Sequence, residues 1–222
     1  MIKGCIFDLD GVVVDTARFH FLSWQKIAKD LGIRFIEKDN EKLKGISRQK
    51  SLEHILSLGK IQLKDREKAE ICKMKNDIYL DYLSTMDGSV IFPGVLELLD
   101  YLKAKNLRIA LGSASQNARK VLQFLKINHY FEIIVDGNDV VNSKPDPEVF
   151  LKGAKGLELE PKRLVVFEDS EKGIEAALKG NFYAVGIGTD SSLNNAHIVI
   201  QDFKEIDIPA LFHKLHDKET TE

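Results

Sequence analysis

The sequence has very little cysteine. Its two cysteines, Cys5 and Cys72, lie far apart in apolar stretches and form no C-x-x-C pair. A disulfide framework or a zinc site would need more numerous or more closely spaced cysteines, so neither has support. We expect two buried free thiols in a reducing compartment.

The chain also lacks an excess of charge of either sign. Its 222 residues carry 32 Lys and Arg against 34 Asp and Glu, a formal net charge of −2, and the two signs are interspersed. Proteins that bind a nucleic acid backbone or an anionic membrane need a basic patch, so we expect neither partner. A small anionic ligand is compatible with this composition.

Long hydrophobic runs are absent as well. No run approaches the roughly 20 apolar residues of a membrane span. Asp8 follows the first apolar residues too soon to leave room for a signal peptide core. We therefore expect a cytoplasmic protein. With 44% hydrophobic and 30% charged residues, the chain is neither disordered nor collagen-like and has enough apolar residues for a sizeable core.

Short apolar runs rich in β-branched or aromatic residues are present and predict buried strands. They span residues 2–7, 107–111, 132–135, 164–167, 184–187 and 198–200. Between the later runs, apolar residues recur at helical spacing, as in Val95, Leu98 and Leu102. This alternation predicts an α/β fold with a Rossmann-like parallel sheet.

The alternation breaks between the first two predicted strands. Apolar residues keep helical spacing there, as in Trp24 and Ile27, and no convincing strand occurs. We predict a core domain of residues 1–14 and 88–222 and an inserted helical domain of residues 15–87. The C-terminal tail, residues 214–222, is predicted to be frayed.

Polar motifs follow four of the predicted strands. They are Asp8-Leu9-Asp10-Gly11, Ser113-Ala114-Ser115-Gln116-Asn117, Lys144-Pro145 and Glu168-Asp169. Each alone has an ordinary explanation, namely a solvated turn, a helix N-cap at Ser115 or an exposed lysine. Because ligands of parallel α/β sheets bind at the carboxyl ends of the strands, the four motifs together predict one polar crevice.

The chemistry of these groups points to an anionic substrate. Two acids as close as Asp8 and Asp10 are costly unless a cation lies between them or one carries a proton. One acid can then bind Mg²⁺ and act as a nucleophile while the other transfers protons. A helix start with free N–H groups, as after Ser113, favours an anion.

In this order the motifs resemble the haloacid dehalogenase superfamily of aspartate-nucleophile phosphotransferases, from Ile6 to about Ile200. The insertion resembles the helical cap of its sugar-phosphate mutases. The matching cap residues are Thr16, His20, Trp24, Lys44-Gly45-Ile46-Ser47-Arg48, Ser51 and Lys75-Asn76-Asp77. The resemblance implies a Mg²⁺-dependent, monomeric isomerase. It would interconvert β-D-glucose 1-phosphate and D-glucose 6-phosphate through an aspartyl phosphate and β-glucose 1,6-bisphosphate.

The resemblance also implies roles. Asp8 would be the nucleophile and Asp10 the general acid and base, held by Thr16 and His20. Ser113 and Lys144 would orient the transferring phosphoryl group. The implied metal ligands are Asp8, the Asp10 backbone carbonyl and Asp169. Glu168 would either bind the metal itself or support one of these ligands. The implied substrate contacts are Trp24, Gly45, Ile46, Ser47, Arg48, Ser51, Lys75, Ser113, Ala114, Ser115, Gln116, Asn117 and Lys144.

Alternatives concern two residues and the activity. Trp24 could serve only in packing, and Gln116 stands where relatives usually carry lysine. A sugar-phosphate phosphatase would share the fold and site but pass the phosphoryl group to water, whereas Arg48, His20 and Lys75 favour transfer between sugars. A catalytically idle sensor would lack the nucleophile, the lysine or an acid pair, and all of these are present.

Overall fold

The computed structural model describes residues 1–204 and 206–219. Its centre is a parallel sheet of β1 (Gly4–Phe7), β2 (Arg108–Gly112), β3 (Ile133–Val135), β4 (Leu164–Glu168), β5 (Tyr183–Ile187) and β6 (Ile198–Ile200). The strand order is β3-β2-β1-β4-β5-β6, and all neighbours pair in parallel. The predicted α/β class and strands are confirmed, with strand ends shifted by a residue or two.

Helices cover both faces of this sheet. They are α5 (Val95–Ala104), α6 (Ala118–Phe124), α7 (Glu148–Gly156) and α8 (Glu171–Lys179). Successive side chains of β1 enter different hydrophobic clusters, Cys5 and Phe7 one and Ile6 the other, because strand side chains alternate between faces. Within the described part of the chain, no helix is both long and apolar enough to cross a membrane.

The stretch between β1 and the 3₁₀ turn Gly88–Val90 is helical. It contains α1 (Ala17–Asp30), α2 (Glu37–Glu41), α3 (Arg48–Gly59) and α4 (Asp65–Leu83). These helices bury a hydrophobic cluster of their own around Trp24 and Ile55. We propose that residues 15–87 form a separate domain, because they have this cluster of their own. An antiparallel bridge between Val14 and Ile91 joins the two chain segments that lead into and out of the insertion.

The C-terminal segment forms a helix, α9 (Ile208–Glu219). Leu211 and Leu215 are buried in the main hydrophobic cluster. The predicted fraying is therefore wrong from Lys214 to Glu219, and residues 220–222 lie outside the described residues. The missed signal was an apolar spacing of three and four residues, which is typical of a helix that packs on a core.

Truncating Leu215 tests how much α9 contributes to stability. Because this side chain is fully buried, we expect Leu215→Ala to lower the free energy of unfolding by about 2–5 kcal/mol. The measurement is urea denaturation followed by circular dichroism. Lys214→Ala, at an exposed position of the same helix, is the control. Equal and small losses in both variants would contradict the packing of α9.

Candidate active site

A cavity of about 810 Å³ lies between the carboxyl ends of the strands and the inserted helices. Asp8 and Ser113 line it from the sheet side, and His20, Arg48 and Lys75 line it from the helical side. Its volume is in the range of small-molecule sites in proteins.

Most of the predicted site residues reach the wall of this cavity. Those that line it are Asp8, Asp10, His20, Trp24, Gly45, Ile46, Ser47, Arg48, Ser51, Lys75, Ser113, Ala114, Ser115, Gln116, Asn117 and Asp169. The others, Thr16, Lys144 and Glu168, are buried and bond to neighbours in the same site. The structure therefore brings the predicted set together.

Lys144 joins two carboxylates at the floor of the cavity. Its Nζ donates to Asp8 Oδ1 at 2.6 Å and to Glu168 Oε2 at 2.7 Å. The lysine is 1% exposed, so the alternative of an exposed lysine is wrong. Burial alone would lower the pKa of Lys144, but the two carboxylates raise it above its usual value.

Asp8, Glu168 and Asp169 form an acidic cluster whose ligand oxygens lie within 4.8 Å of one another. Burial raises the pKa of Asp8 well above its usual value despite the charge of Lys144. Burial together with Glu168 raises the pKa of Asp169 to about 7. The positive charge beside the cluster is thus too small to balance three carboxylates. Carboxylate oxygens are the ligands that a hard divalent cation prefers.

Lys44 and Ser170 also belong to the site. Lys44 was predicted only as part of the Lys44-Gly45-Ile46-Ser47-Arg48 motif of the insertion, and Ser170 was not predicted. Lys44 Nζ lies 3.6 Å from Asp169 Oδ2, an ion pair between the inserted helices and the sheet domain. Ser170 Oγ donates to Glu168 Oε1 at 2.6 Å and caps α8. The N-cap pattern could have revealed Ser170. The contact of Lys44 with Asp169 had no signal in the sequence, because the two residues lie far apart along the chain.

Gly45 allows the two parts of the chain to approach closely. Its φ is +70°, and a Cβ at this position would lie 2.6 Å from Ser170 Oγ. Both the positive φ and the lack of space favour glycine. The backbone at Gly45 therefore packs directly beside the acidic cluster.

Asp10 is held by two neighbours from the start of the insertion. The Thr16 hydroxyl donates to Asp10 Oδ1, and His20 Nε2 lies 3.6 Å from the same oxygen. Burial alone would raise the pKa of Asp10, but its contacts with His20 and Thr16 lower it below the usual value. Asp10 is therefore an oriented carboxylate rather than a solvated turn residue.

Lys75 completes this chain of contacts. Its Nζ lies 2.9 Å from His20 Nδ1 and above the rings of Trp24 and Tyr79. Burial, assisted by the nearby charge of Arg48, lowers the pKa of Lys75 to about 7. Trp24 packs in the helical cluster and also lines the cavity, and its contact with the substrate stays a prediction.

Arg48 and Asn117 add hydrogen-bond donors to the wall of the cavity. Arg48 Nη2 and Asn117 Nδ2 both donate to Asn76 Oδ1, at 2.7 and 2.8 Å. Ser115 Oγ accepts from the Asn117 backbone N–H, but the N-cap residue of α6 is Asn117, so the N-cap interpretation of Ser115 is wrong. Gln116 is exposed and lines the cavity.

Comparison with known proteins identifies the family to which the chain belongs. The family model for haloacid dehalogenase-like hydrolases matches residues 5–187. The chain belongs to the haloacid dehalogenase-like hydrolase family. This membership confirms the resemblance inferred from the four strand-end motifs and the inserted helices.

Three proteins similar to this chain can be compared in detail. A beta-phosphoglucomutase of Bacillus subtilis is 40% identical over 212 residues, which cover 95% of this chain and 94% of that protein. A phosphorylated carbohydrates phosphatase of Thermotoga maritima is 29% identical over 205 residues, 90% and 91% of the two chains. The crystal structure of beta-phosphoglucomutase from Clostridium difficile has a TM-score of 0.95 at 38% identity and covers 99% and 100%.

The burial of Lys75 in this haloacid dehalogenase-like protein predicts that stability depends on pH. The pKa of Lys75 is about 7 in the folded state and about 10.4 in an unfolded chain. Between these values the unfolded chain binds the proton that the folded protein releases, so this term makes stability rise with pH.

Relative to Lys75→Met, which lacks this term, wild-type stability should rise by up to about 1.4 kcal/mol per pH unit between pH 7 and pH 10. Urea denaturation of both proteins across this range measures the slope. Lys73→Met, at an exposed position of α4, is the control and should follow the wild type. A pH-independent difference for Lys75→Met would contradict the burial of a titrating ammonium.

Proposed function

We propose that the protein is a β-phosphoglucomutase, an isomerase that interconverts β-D-glucose 1-phosphate and D-glucose 6-phosphate. The observation that carries this proposal is one cavity with two separate places for a phosphate group. Asp8, Ser113 and Lys144 form one group of anion-binding side chains, and Arg48 and Asn117 form a second group. A sugar bisphosphate matches this arrangement. The 40% identity to the Bacillus subtilis enzyme supports the same activity.

The proposed first step is phosphoryl transfer to Asp8. A carboxylate oxygen of Asp8 forms a bond to phosphorus while the bond from phosphorus to the sugar oxygen breaks. Asp10 takes up a proton when the anionic substrate binds beside it and donates that proton to the leaving oxygen. The charge of Lys144 and the hydroxyl of Ser113 hold the phosphoryl oxygens, which is the main contribution a protein makes to a loose transition state.

Asp8, Asp169, Glu168 and the Asp10 backbone carbonyl are the residues that would hold Mg²⁺. When bound, the ion supplies positive charge that offsets repulsion between a phosphoryl group and a carboxylate. Glu168 also keeps Lys144 in place, since it accepts from that lysine and from Ser170.

The return step uses the same residues in reverse. Asp10 takes the proton of the free hydroxyl of a sugar monophosphate, and that oxygen attacks the phosphorus on Asp8 while the bond from phosphorus to Asp8 breaks, which forms the bisphosphate. The bisphosphate then turns around and transfers its other phosphoryl group to Asp8. Thr16 and His20 hold Asp10 for both proton transfers. Because one chain lines the cavity, the reaction needs no second subunit, and we propose a monomer that binds only sugar phosphates and bisphosphates.

The second phosphate would bind at the cationic end of the cavity. Among the described residues, Arg48 has a hydrogen bond to a neutral amide but no ion pair with an acid. A guanidinium without an acid partner favours an anionic ligand and can bind it through two N–H groups. Ser115 and Gln116 add neutral donors. The remaining sugar contacts would come from Trp24, Gly45, Ile46, Ser47, Ser51, Lys75 and Ala114.

A phosphatase is the second candidate, because the Thermotoga maritima relative carries that name. It would share the aspartyl phosphate and let water attack it. The contacts of Lys44 with Asp169 and of Gly45 beside Ser170 close the inserted helices over the acidic cluster. Exclusion of water from the acidic cluster favours transfer of the phosphoryl group from Asp8 to a sugar hydroxyl rather than to water.

The direct test is an assay that follows glucose 6-phosphate and free phosphate in the same sample. We expect purified protein with Mg²⁺, β-glucose 1-phosphate and the bisphosphate to form glucose 6-phosphate without matching phosphate release. Asp8→Asn, which keeps the size of the side chain, should abolish both products while the circular dichroism spectrum stays unchanged. Phosphate release alone would establish the phosphatase instead.

Arg48→Ala tests the second phosphate position. Loss of a charge-assisted hydrogen bond is worth about 1.5–3 kcal/mol, so we expect KM for the sugar phosphate to rise by about 10- to 100-fold. Hydrolysis of p-nitrophenyl phosphate, which has one phosphate, should change little. Arg66→Ala, at an exposed position of α4, is the control. Equal losses on both substrates would make Arg48 a structural residue.

A further inference from the structure

A single amide side chain connects the two halves of the second phosphate position. Asn76 lies on α4, next to Lys75, and its Oδ1 accepts from Arg48 Nη2 at 2.7 Å and from Asn117 Nδ2 at 2.8 Å. Arg48 is the first residue of α3 in the insertion, whereas Asn117 precedes α6 in the sheet domain. The hydrogen bond to Asn117 therefore crosses between the two parts of the chain.

The chemistry of the three groups fixes their orientation. A guanidinium has donors only, so the atom of Asn76 that faces Arg48 has to be the amide oxygen. An oxygen accepts only from a donor, so Asn117 has to present its NH₂ group to it. Two N–H donors thus converge on one oxygen atom, as they would on an oxygen of a phosphate group. Asn76 is neutral, so the charge of Arg48 stays available to a ligand.

We propose that Asn76 is a positioning residue that assembles the second phosphate position before the ligand arrives. It holds a long arginine side chain in one orientation, and it ties that side chain to the donor of the sheet domain. A flexible arginine would otherwise lose rotamer freedom when it binds the ligand, which weakens affinity. This inference rests on the proposed function, because it assigns Arg48 and Asn117 to the phosphate of a sugar phosphate.

Asn76 would act on binding and not on the chemical step. The groups that form and break bonds in the proposed reaction are Asp8 and Asp10, and Asn76 has no hydrogen bond to either. We therefore expect Asn76→Ala to raise KM for β-glucose 1-phosphate by about tenfold while kcat at saturating substrate changes little. Hydrolysis of p-nitrophenyl phosphate should be unchanged.

A double-mutant cycle separates positioning from a general structural effect. Asn76→Ala, Arg48→Ala and the double variant are prepared in an Asp8→Asn background, which binds without turnover. The Kd for β-glucose 1,6-bisphosphate is measured by titration calorimetry. If Asn76 acts through Arg48, its substitution weakens binding about tenfold alone and adds little once Arg48 is absent. Undiminished weakening in the double variant, or none in the single variant, overturns the proposal.

The Kd values of the single variants distinguish failure of the proposed function from failure of the role of Asn76. If Arg48→Ala itself leaves the Kd unchanged, the second phosphate position of the proposed function is wrong, and the role of Asn76 falls with it. If Arg48→Ala weakens binding and Asn76→Ala does not, only the role of Asn76 is wrong. Should Asn76→Ala lower the melting temperature too far for titration, Asn76→Leu keeps the approximate size of the side chain and removes the acceptor of the two bonds. It should show the same coupling to Arg48, and its absence overturns the proposal.

Discussion

The buried ammonium of Lys144 is the contact on which the arrangement of the site depends. Charges removed from water are costly unless they are paired, and Lys144 pairs with two carboxylates, Asp8 and Glu168. These acids lie at the ends of β1 and β4, which are neighbours in the sheet. The pairing of two strands thus sets the distance between the acids. Loss of the lysine would leave both carboxylates buried without a cation.

The opposite side of the cavity has the complementary charge. Arg48 and Lys75 project from the inserted helices, and their partners, Asn76 and His20, are an amide and an imidazole rather than acids. The sheet side therefore concentrates acids around Lys144, and the helical side presents Arg48 and Lys75, whose hydrogen-bond partners are uncharged side chains. Such a distribution orients a ligand that carries a phosphate at each end, because each end finds a different environment.

The sheet and the site are largely predictable from the sequence because local patterns carry both. Apolar runs define strands, and the rule that ligands bind at strand ends predicts one site for the polar motifs around Asp8, Lys144 and Asp169. The contacts that join the insertion to the sheet are not predictable in the same way. Lys44 with Asp169, and Asn76 with Asn117, depend on how two parts of the chain pack, which no local period encodes. Shifts of pKa, as in Lys75, likewise arise only from burial.

Lys75 has a consequence for how the cavity exchanges protons with its surroundings. With a pKa of about 7, a population of the protein near neutral pH carries a neutral amine at this position. An anion that enters the cavity favours the charged form and raises that pKa. Binding of an anion beside Lys75 would therefore be accompanied by uptake of a proton from the solvent. The affinity for such an anion would consequently depend on pH even when the ionisation of the anion itself does not change.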